Sequence, residues 1–194
     1  MVEMEIRELI EACKDENSAA RKHLYLCYGP TIKAICMRYI KESNEASDTF
    51  HDCFIKLMFS LDKYKFQGSF EGWVKRLAAN YCLDKLKKTK RLVYTEQVTD
   101  GELEDQNNQT NEGILFEENQ EKTEFSAEEL NDMILTLPDP YRLVFNMYQL
   151  EDFSHLEIAK ILKIDEQTSR ARLSRAKKKL KVILKEKSQE KLNH

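Results

Sequence analysis

Apolar residues recur in the first half of the chain at the spacing of amphipathic helices. Starting at Phe50 they occupy positions i, i+3, i+4, i+7, i+8 and i+11, which predicts a helix over residues 48–61 with one broad buried stripe. A second helix is predicted over residues 70–88. Gly29 and Pro30 are poor residues for a helix interior, so they predict a break between two earlier helices. The pattern as a whole predicts four or five helices in this half.

Capping residues divide the second half of the chain into four predicted helices. Ser126 with Glu129, and Ser154 with Glu157, have the spacing of a capping box, in which each side chain caps the backbone of the other residue. Asp165 is suited to cap the last helix. Only the short sequence KID separates the last two helices, so we expect them to form a helix-turn-helix.

A strongly acidic segment separates the two helical halves. Residues 94–125 show no sustained periodicity and carry a net charge of −9, whereas residues 1–93 carry +4 and residues 126–194 carry +2. Self-repulsion and low hydrophobicity predict a flexible, extended linker. We therefore predict an all-α fold of two small helical domains, residues 1–93 and 126–194, joined by an acidic flexible linker, with the helix-turn-helix in the second domain.

The last predicted helix has one apolar face and one polar face. On a helical wheel the apolar face comprises Ser169, Leu173, Ala176, Leu180 and Leu184. The opposite face carries small, hydrogen-bonding and basic side chains: Gln167, Thr168, Ala171, Ser174, Arg175 and Lys178, flanked by Arg170 and Arg172. No acid occurs between Arg170 and Lys185, whereas a merely solvated face would mix Glu with Lys. Small side chains allow close approach to base edges and arginines reach phosphates, so we interpret this helix as binding DNA.

Other function classes find little support in the sequence. No stretch approaches the roughly 18 consecutive apolar residues of a membrane span, and the acidic N-terminus is unlike a signal peptide, so we expect a cytoplasmic protein. Five cysteines without a C-x-x-C pair favour buried reduced thiols over a metal site or disulfides. Scattered histidines and the lack of a Gly-rich phosphate loop argue against a hydrolase. We expect no enzymatic activity, no cofactor and no metal.

Two blocks of sequence follow patterns that occur together in one protein family. The first contains ASDTFHDCFIKL, similar to D-x-x-Q-E-x-F, and then FQGSFEGWVKRLAANYCLDKLKK, similar to F-x-x-W-L-x-x-I-A-x-N-x-x-x-D-x-L-R-R. The second is LPDPYRLVFNMYQLEDFSHLEIAKILKIDEQTSRARLSRAKKKL. Its landmarks are Leu137-Pro138, Arg142, residues 152–154, residues 157–159, Thr168 and Arg175-Ala176. The blocks resemble regions 2 and 4 of the extracytoplasmic function (ECF) sigma factors, the compact group of the bacterial sigma-70 family.

Four residues depart from the family pattern. His51 and Asp52 replace the usual Gln and Glu of region 2, and Ser169 replaces a common Val in region 4. Lys163 stands where Gly often occurs in the helix-turn-helix turn. For Lys163 we expect either a turn without positive φ or a small strain cost.

The resemblance implies a sigma factor, which does no bond chemistry. Such a protein binds core RNA polymerase, recognises promoter DNA at two elements and helps to melt the downstream element. Residues 1–93 would correspond to region 2 and residues 126–194 to region 4. The implied partners are the β′ coiled coil and the β flap of core polymerase, promoter DNA and, where one exists, an anti-sigma factor.

The polymerase-binding residues are expected on the helix over residues 48–61. Opposite its buried stripe, acids share a face with two large apolar side chains, and apolar anchors with a charged rim are typical of protein interfaces. The family resemblance implies that this helix binds the β′ coiled coil, and it matches Asp48, His51 and Asp52 to the family pattern. The helical wheel adds Ile55 and Phe59. The expected set is Asp48, His51, Asp52, Ile55 and Phe59.

The two DNA-binding sets lie in different halves of the chain. The minus-ten set combines rings that can stack on unpaired bases with basic and amide groups, namely Lys63, Tyr64, Lys65, Phe66, Ser69, Trp73, Arg76 and Asn80. By resemblance, the loop over residues 63–69 would hold a flipped base together with Asn80; packing in the core is an equal alternative for Trp73. The minus-thirty-five set assigns Arg170, Ala171, Ser174 and Arg175 to bases, and Thr168, Arg172 and Lys178 to phosphates.

One rival interpretation is a helix-turn-helix regulator that binds duplex DNA without polymerase. It explains residues 126–187 equally well, but it leaves the apolar face of Ile55 and Phe59 and the aromatic, basic loop unexplained.

The acidic linker offers a further hypothesis, since a segment of net charge −9 suits a basic channel meant for RNA. The alternative for the linker is a solubilising tether.

Overall fold

The computed structural model describes residues 5–89 and 125–192, and within these ranges it contains eight α-helices and no strand. The helices are α1 Ile6–Lys14, α2 Ser18–Tyr39, α3 Ser43–Met58, α4 Phe70–Lys88, α5 Ala127–Thr136, α6 Asp139–Phe145, α7 His155–Leu162 and α8 Glu166–Leu192. The predicted all-α fold class is confirmed. The predicted linker lies outside the described residues except for its last residue, Phe125.

In the first half, α2 packs against α1, α3 and α4. The predicted break at Gly29 and Pro30 is wrong, because α2 continues through both residues. Pro30 removes the backbone donor that would have bonded to the carbonyl of Leu26. This local loss is outweighed by tertiary packing, since Leu24 and Ile32, on either side of Gly29 and Pro30, are completely buried.

The third helix begins earlier than its apolar spacing predicted. It starts at Ser43, because the carboxylate of Glu42 accepts hydrogen bonds from the backbone N–H groups of Asn44 and Glu45 at 2.9 and 2.5 Å. It ends at Met58 and is followed by a 3₁₀ turn, Leu61–Lys63. The next helix, α4, has the bounds that the sequence predicted.

Both predicted capping boxes form in the second half. The hydroxyls of Ser126 and Ser154 accept from the backbone N–H groups of Glu129 and Glu157, whose carboxylates accept from the serine N–H groups in return. A π-helical turn, Asn146–Leu150, extends α6. Against α8 pack α6, α7 and α5, so α8 is the central element of this half.

Four of the five cysteines, Cys13, Cys36, Cys53 and Cys82, are buried as free thiols. Cys27 is also a free thiol but is exposed, so the expectation of buried thiols is wrong at that position. None of the helices within residues 5–89 and 125–192 is long and apolar enough to span a bilayer.

Candidate nucleic-acid and protein interfaces

The solvent-facing side of α3 combines acidic and large apolar side chains. Phe50, Cys53 and Leu57 turn inward. Outward, Ile55 is 55% exposed and Phe59 is 83% exposed. The other members of this α3 face, Asp48, His51 and Asp52, are exposed as well. All five residues of the predicted polymerase-binding set therefore lie at the surface.

Residues outside the predicted set border the α3 face. Tyr81 of α4 lies beside it, with the Lys56 ammonium 5.0 Å from its ring centroid, and burial followed by the charge of Asp52 raises the pKa of the Tyr81 hydroxyl. On the other side, Tyr25 of α2 contacts the rings of Phe50 and Phe54 and remains 41% exposed. Sequence spacing did not reveal these neighbours, because they come from other helices.

The loop between the 3₁₀ turn and α4 is built around a buried tyrosine. Tyr64 is only 7% exposed, and its hydroxyl donates to the carbonyl of Gly68 at 2.7 Å. Its ring contacts those of Phe66, Phe70 and Trp73, with centroids 4.9 to 5.4 Å apart. Phe66 and Gly68 both adopt positive φ, which turns the chain sharply between them. The aromatic cluster thus fixes the loop's shape.

The remaining members of the minus-ten set differ in accessibility. Lys63, Lys65, Ser69 and Asn80 are exposed, and the Ser69 hydroxyl also caps α4 by accepting from the N–H of Gly72 at 3.0 Å. Phe66 and Trp73 are half-buried, so each ring keeps an accessible part. The guanidinium of Arg7, which the sequence analysis missed, lies 4.5 Å from the Phe66 ring centroid. Tyr64 is the member whose ring is not presented at the surface.

Arg76 is held by residues of the second half of the chain. Its guanidinium lies 2.5 Å from the carboxylate of Glu157 and donates to the backbone carbonyl of Asp152 at 2.6 Å. It also lies 4.7 Å from the ring centroid of Phe153, at cation–π distance. The hydrogen bonds from Arg76 are the largest cause that holds the pKa of Glu157 at about 2. These contacts thus engage the guanidinium of Arg76, which in this arrangement is unavailable to DNA.

The helix-turn-helix of α7 and α8 forms around a left-handed residue. Lys163, the residue after α7, has φ 54° and ψ 45°. The expectation of a turn without positive φ is therefore wrong, and Lys163 has the left-handed conformation in which a residue with a Cβ is strained. Asp165 caps α8, as predicted: its carboxylate accepts from the backbone N–H and the hydroxyl of Thr168 at 2.5 and 2.8 Å. The hydroxyl of Thr168 is therefore engaged in this cap.

The apolar face that the helical wheel predicted for α8 is the face that is buried in the structure. The predicted apolar face packs inward, with Ser169 and Ala176 fully buried and Leu173 and Leu180 each 7% exposed. The hydroxyl of Ser169 lies 2.8 Å from Nδ1 of His155, which accounts for a serine at a position where the family often has Val. This pair was not predicted, since His155 belongs to α7.

The polar face of α8 carries the predicted minus-thirty-five set. Arg170, Ser174 and Lys178 are exposed, and Thr168, Ala171, Arg172 and Arg175 are half-buried. Arg170 forms an ion pair with Glu166, one turn earlier, at 2.5 Å. The seven residues surround the polar side of α8, with Arg170 and Arg172 at its two flanks, an arrangement that suits entry into a major groove.

Comparison with known proteins agrees with this architecture. The family model for Sigma-70 region 2 matches residues 24–92, and that for Sigma-70, region 4 matches residues 127–180. The ECF RNA polymerase sigma factor SigW of Bacillus subtilis (strain 168) is 27% identical over 187 residues, which cover 95% of this chain and 100% of SigW. The ECF RNA polymerase sigma-E factor of Escherichia coli (strain K12) is 26% identical, with 87% and 88% covered.

Two solved structures share the fold. One is the sigma factor RpoE in complex with the anti-sigma factor NepR from Bartonella quintana, with a TM-score of 0.52, 17% identity and coverage of 84% of this chain and 96% of RpoE. The other is CnrH in complex with the cytosolic domain of CnrY, with a TM-score of 0.50, 17% identity and coverage of 92% and 96%.

With both family regions present in order, the chain belongs to the ECF sigma factors of the sigma-70 family, non-enzymatic proteins of transcription initiation.

Proposed function

We propose that this chain acts in the cytoplasm as a dissociable subunit of RNA polymerase and divides its work among three parts. Residues 1–93 bind core polymerase and the minus-ten element, residues 126–194 bind the minus-thirty-five element, and residues 94–125 connect them through the polymerase. The order of the two matched family regions supports this division.

The docking site for the β′ coiled coil of core polymerase is the α3 face. Exposed Phe59 and Ile55 supply apolar anchors, and Asp48 and Asp52 supply a charged rim. Large exposed apolar side chains at the centre of an interface contribute most of the binding free energy, while rim charges steer the partner and fix its orientation. Basic residues on the partner helices would complement this acidic rim.

The minus-ten element is bound by the loop before α4 and by the exposed part of α4. Phe66 and Trp73 offer partly accessible rings, and each stacked base contributes roughly 1–3 kcal/mol, which offsets the cost of unstacking. Lys63 and Lys65 attract the phosphates of the separated strand, and Asn80 reads a base edge. Tyr64 acts indirectly, because its hydrogen bond to Gly68 holds the loop in shape.

The minus-thirty-five element is bound in the major groove by α8. Arg170 and Arg175, with Ala171 and Ser174 between them, face base edges. Arg172 and Lys178 contact phosphates at the groove walls. Thr168, which the sequence placed with them, instead donates its hydroxyl to Asp165 and so serves the cap of α8. The β flap of core polymerase would carry this half of the chain at the correct distance from the minus-ten site.

An anti-sigma factor is a further proposed partner. The solved relative RpoE is in complex with the anti-sigma factor NepR, and this chain covers 96% of RpoE at the same fold. A protein that covers the α3 face or the α8 face would prevent assembly with polymerase or promoter.

The observation that carries the proposal is that one chain exposes an apolar docking face on α3 and a basic recognition face on α8. To test it, sheared genomic fragments would be captured by the tagged chain with bacterial core polymerase and, separately, by the chain alone, and then sequenced. We expect two short sequence elements at fixed spacing only when core is present. Equal enrichment of a single element without core would instead support the stand-alone regulator.

A further inference from the structure

The two halves of the described chain contact each other through buried polar groups. The carboxylate of Glu151 is buried 2.9 Å from the guanidinium of Arg38, and the hydroxyl of Tyr39 donates to it at 3.0 Å. The side chains of Asn146 and Arg142 donate to the backbone carbonyls of Arg38 and Tyr39, each at 3.4 Å. The end of α2 is thus held by α6 and the π-helical turn after it.

A second contact joins α4 to the start of α7, where Arg76 is bound by Glu157, the Asp152 carbonyl and the Phe153 ring. At the rim, Lys41 and Asp139 form an ion pair at 2.9 Å. Because all these contacts bridge the two halves, they hold the chain in a closed arrangement.

Burying polar groups between the two halves costs free energy, which makes it easier for the halves to separate. Four buried polar atoms at the first contact lack a hydrogen-bond partner within the described residues: Nε of Arg38, Nε and Nη1 of Arg142, and Oδ1 of Asn146. Buried polar groups without partners are unfavourable, and desolvation also raises the pKa of Glu151 to about 7. These polar costs offset part of the stabilisation from the apolar residues of both halves that share one core cluster, and so they favour opening.

Closure affects the two DNA-binding sets differently. Arg76 belongs to the minus-ten set, and its guanidinium is occupied by Glu157. The minus-thirty-five residues Arg170, Ser174 and Lys178 remain exposed in the same structure. Closure therefore competes with single-stranded DNA for Arg76 while leaving the recognition face of α8 accessible.

We propose that the contact between the halves is an autoinhibitory latch. In the closed chain, Glu157 pairs with the guanidinium of Arg76 and so prevents it from binding a promoter phosphate. The two halves separate when the chain binds polymerase and DNA. The latch rests on the proposed function only in that α4 binds the minus-ten element, for which the sequence predicts Arg76 as one contact. The closure itself is a property of the free chain and is tested without DNA.

Two substitutions in the second half of the chain weaken the latch and leave the minus-ten residues of the first half unchanged. Glu157→Gln removes the charge that pairs with Arg76, yet a Gln at this position still completes the capping box with Ser154. Glu151→Gln weakens the pair with Arg38. Glu128→Gln serves as the matched control, because it removes one charge from an exposed position at the start of α5.

Closure can be measured by the distance between two spin labels. Cys27 is the exposed native cysteine and the other four are buried, so one label attaches there and a second attaches to an introduced Lys185→Cys. We expect one narrow distance distribution for the wild type and for Glu128→Gln, and a broader, longer one for Glu157→Gln and Glu151→Gln. A broad distribution in the wild type, or no change in either latch variant, would overturn the proposal.

DNA binding by the free chain tests the consequence of closure. The probes are a fluorescent random single-stranded oligonucleotide and a random duplex, compared by anisotropy. For Glu157→Gln we expect about tenfold tighter single-strand binding than for the control, and a much smaller change on duplex. Equal changes on both probes would contradict competition for Arg76. If the distances respond but the core-dependent fragment capture fails, the closure stands and the proposed function falls.

Discussion

Lys163 is the residue at which the helix-turn-helix carries backbone strain. A residue with a Cβ at φ 54° costs about 1–2 kcal/mol relative to the right-handed region, and Gly does not have this cost. We predict that Lys163→Gly stabilises the α7–α8 unit by about 0.5–1 kcal/mol, after allowance for the greater freedom of Gly in the unfolded chain. Native-state hydrogen exchange of α7 and α8 amides in the full chain measures this change.

Lys163→Ala is the matched control, because it removes the same side chain but keeps the Cβ. We expect it to give no stabilisation. If the Ala and Gly variants had equal stability, the lysine side chain and not the backbone conformation would be responsible.

His155 gives the second half a dependence on pH. Burial, followed by the charge of Arg170, lowers the pKa of His155 below its ordinary 6.5, so the folded state binds this proton less readily than the unfolded state. We therefore predict that the stability of α7 and α8 is full above pH 6.5 and falls as the pH drops below it. The measurement is hydrogen exchange at pH 7.5 and pH 5, corrected for the intrinsic exchange rate. In a His155→Gln variant we expect most of the stability difference between the two pH values to be lost. If that difference were unchanged in the variant, His155 would not be its cause.

At the scale of elements, α3 carries the predicted polymerase contact. Phe59→Ala removes the most exposed large apolar side chain of the described chain, and we predict that it weakens binding to core polymerase more than tenfold. Val182→Ala is the matched control, since Val182 is 56% exposed on α8. Titration of fluorescently labelled chain with core measures both. Similar affinities for the two variants would remove the α3 face from the docking site.

For α8, the proposed recognition helix, we expect base readout and phosphate contact to fall to different residues. We predict that Arg175→Ala costs about 1–3 kcal/mol on a cognate promoter and relaxes sequence preference, whereas Lys178→Ala weakens binding evenly across sequences and lowers its salt dependence. Anisotropy on a cognate and several single-base variant duplexes, each at two salt concentrations, distinguishes the two effects. Uniform losses for both variants would contradict this division.

Local sequence signals predicted most elements but missed what tertiary packing decides. The capping boxes at Ser126 and Ser154 formed as predicted, because both partners lie within four residues. Pro30 and the true start of α3 were missed, since burial across helices kept α2 continuous and an uncommon Glu42 cap extended α3. The burial of Tyr64 was also invisible, because its partners meet only when α4 packs beside the loop.

At the scale of the whole molecule, the charge of the linker provides a prediction independent of the folded parts. Residues 94–125 carry a net charge of −9, which suits a basic RNA channel from which the growing transcript would displace them. We predict that replacing their acids with amides reduces competition with nascent RNA and so changes the ratio of abortive to full-length transcripts. Gel analysis of transcripts measures this ratio; an unchanged ratio would leave the linker as a tether only.

The contact between the halves could not be predicted from sequence. Arg76 and Glu157 lie far apart in the chain, and the sequence alone explains each of them locally, Arg76 as a predicted DNA contact and Glu157 as a capping residue. Their pairing depends on how the two halves of the chain pack together.

The most direct test of the central claim is run-off transcription with purified bacterial core polymerase, the chain and a pool of genomic promoter fragments. We predict discrete transcripts that require both the chain and core and that are strongly reduced by Phe59→Ala and by Arg175→Ala. No transcript above the background of core alone, under conditions in which another sigma factor is active with the same core, would contradict the account.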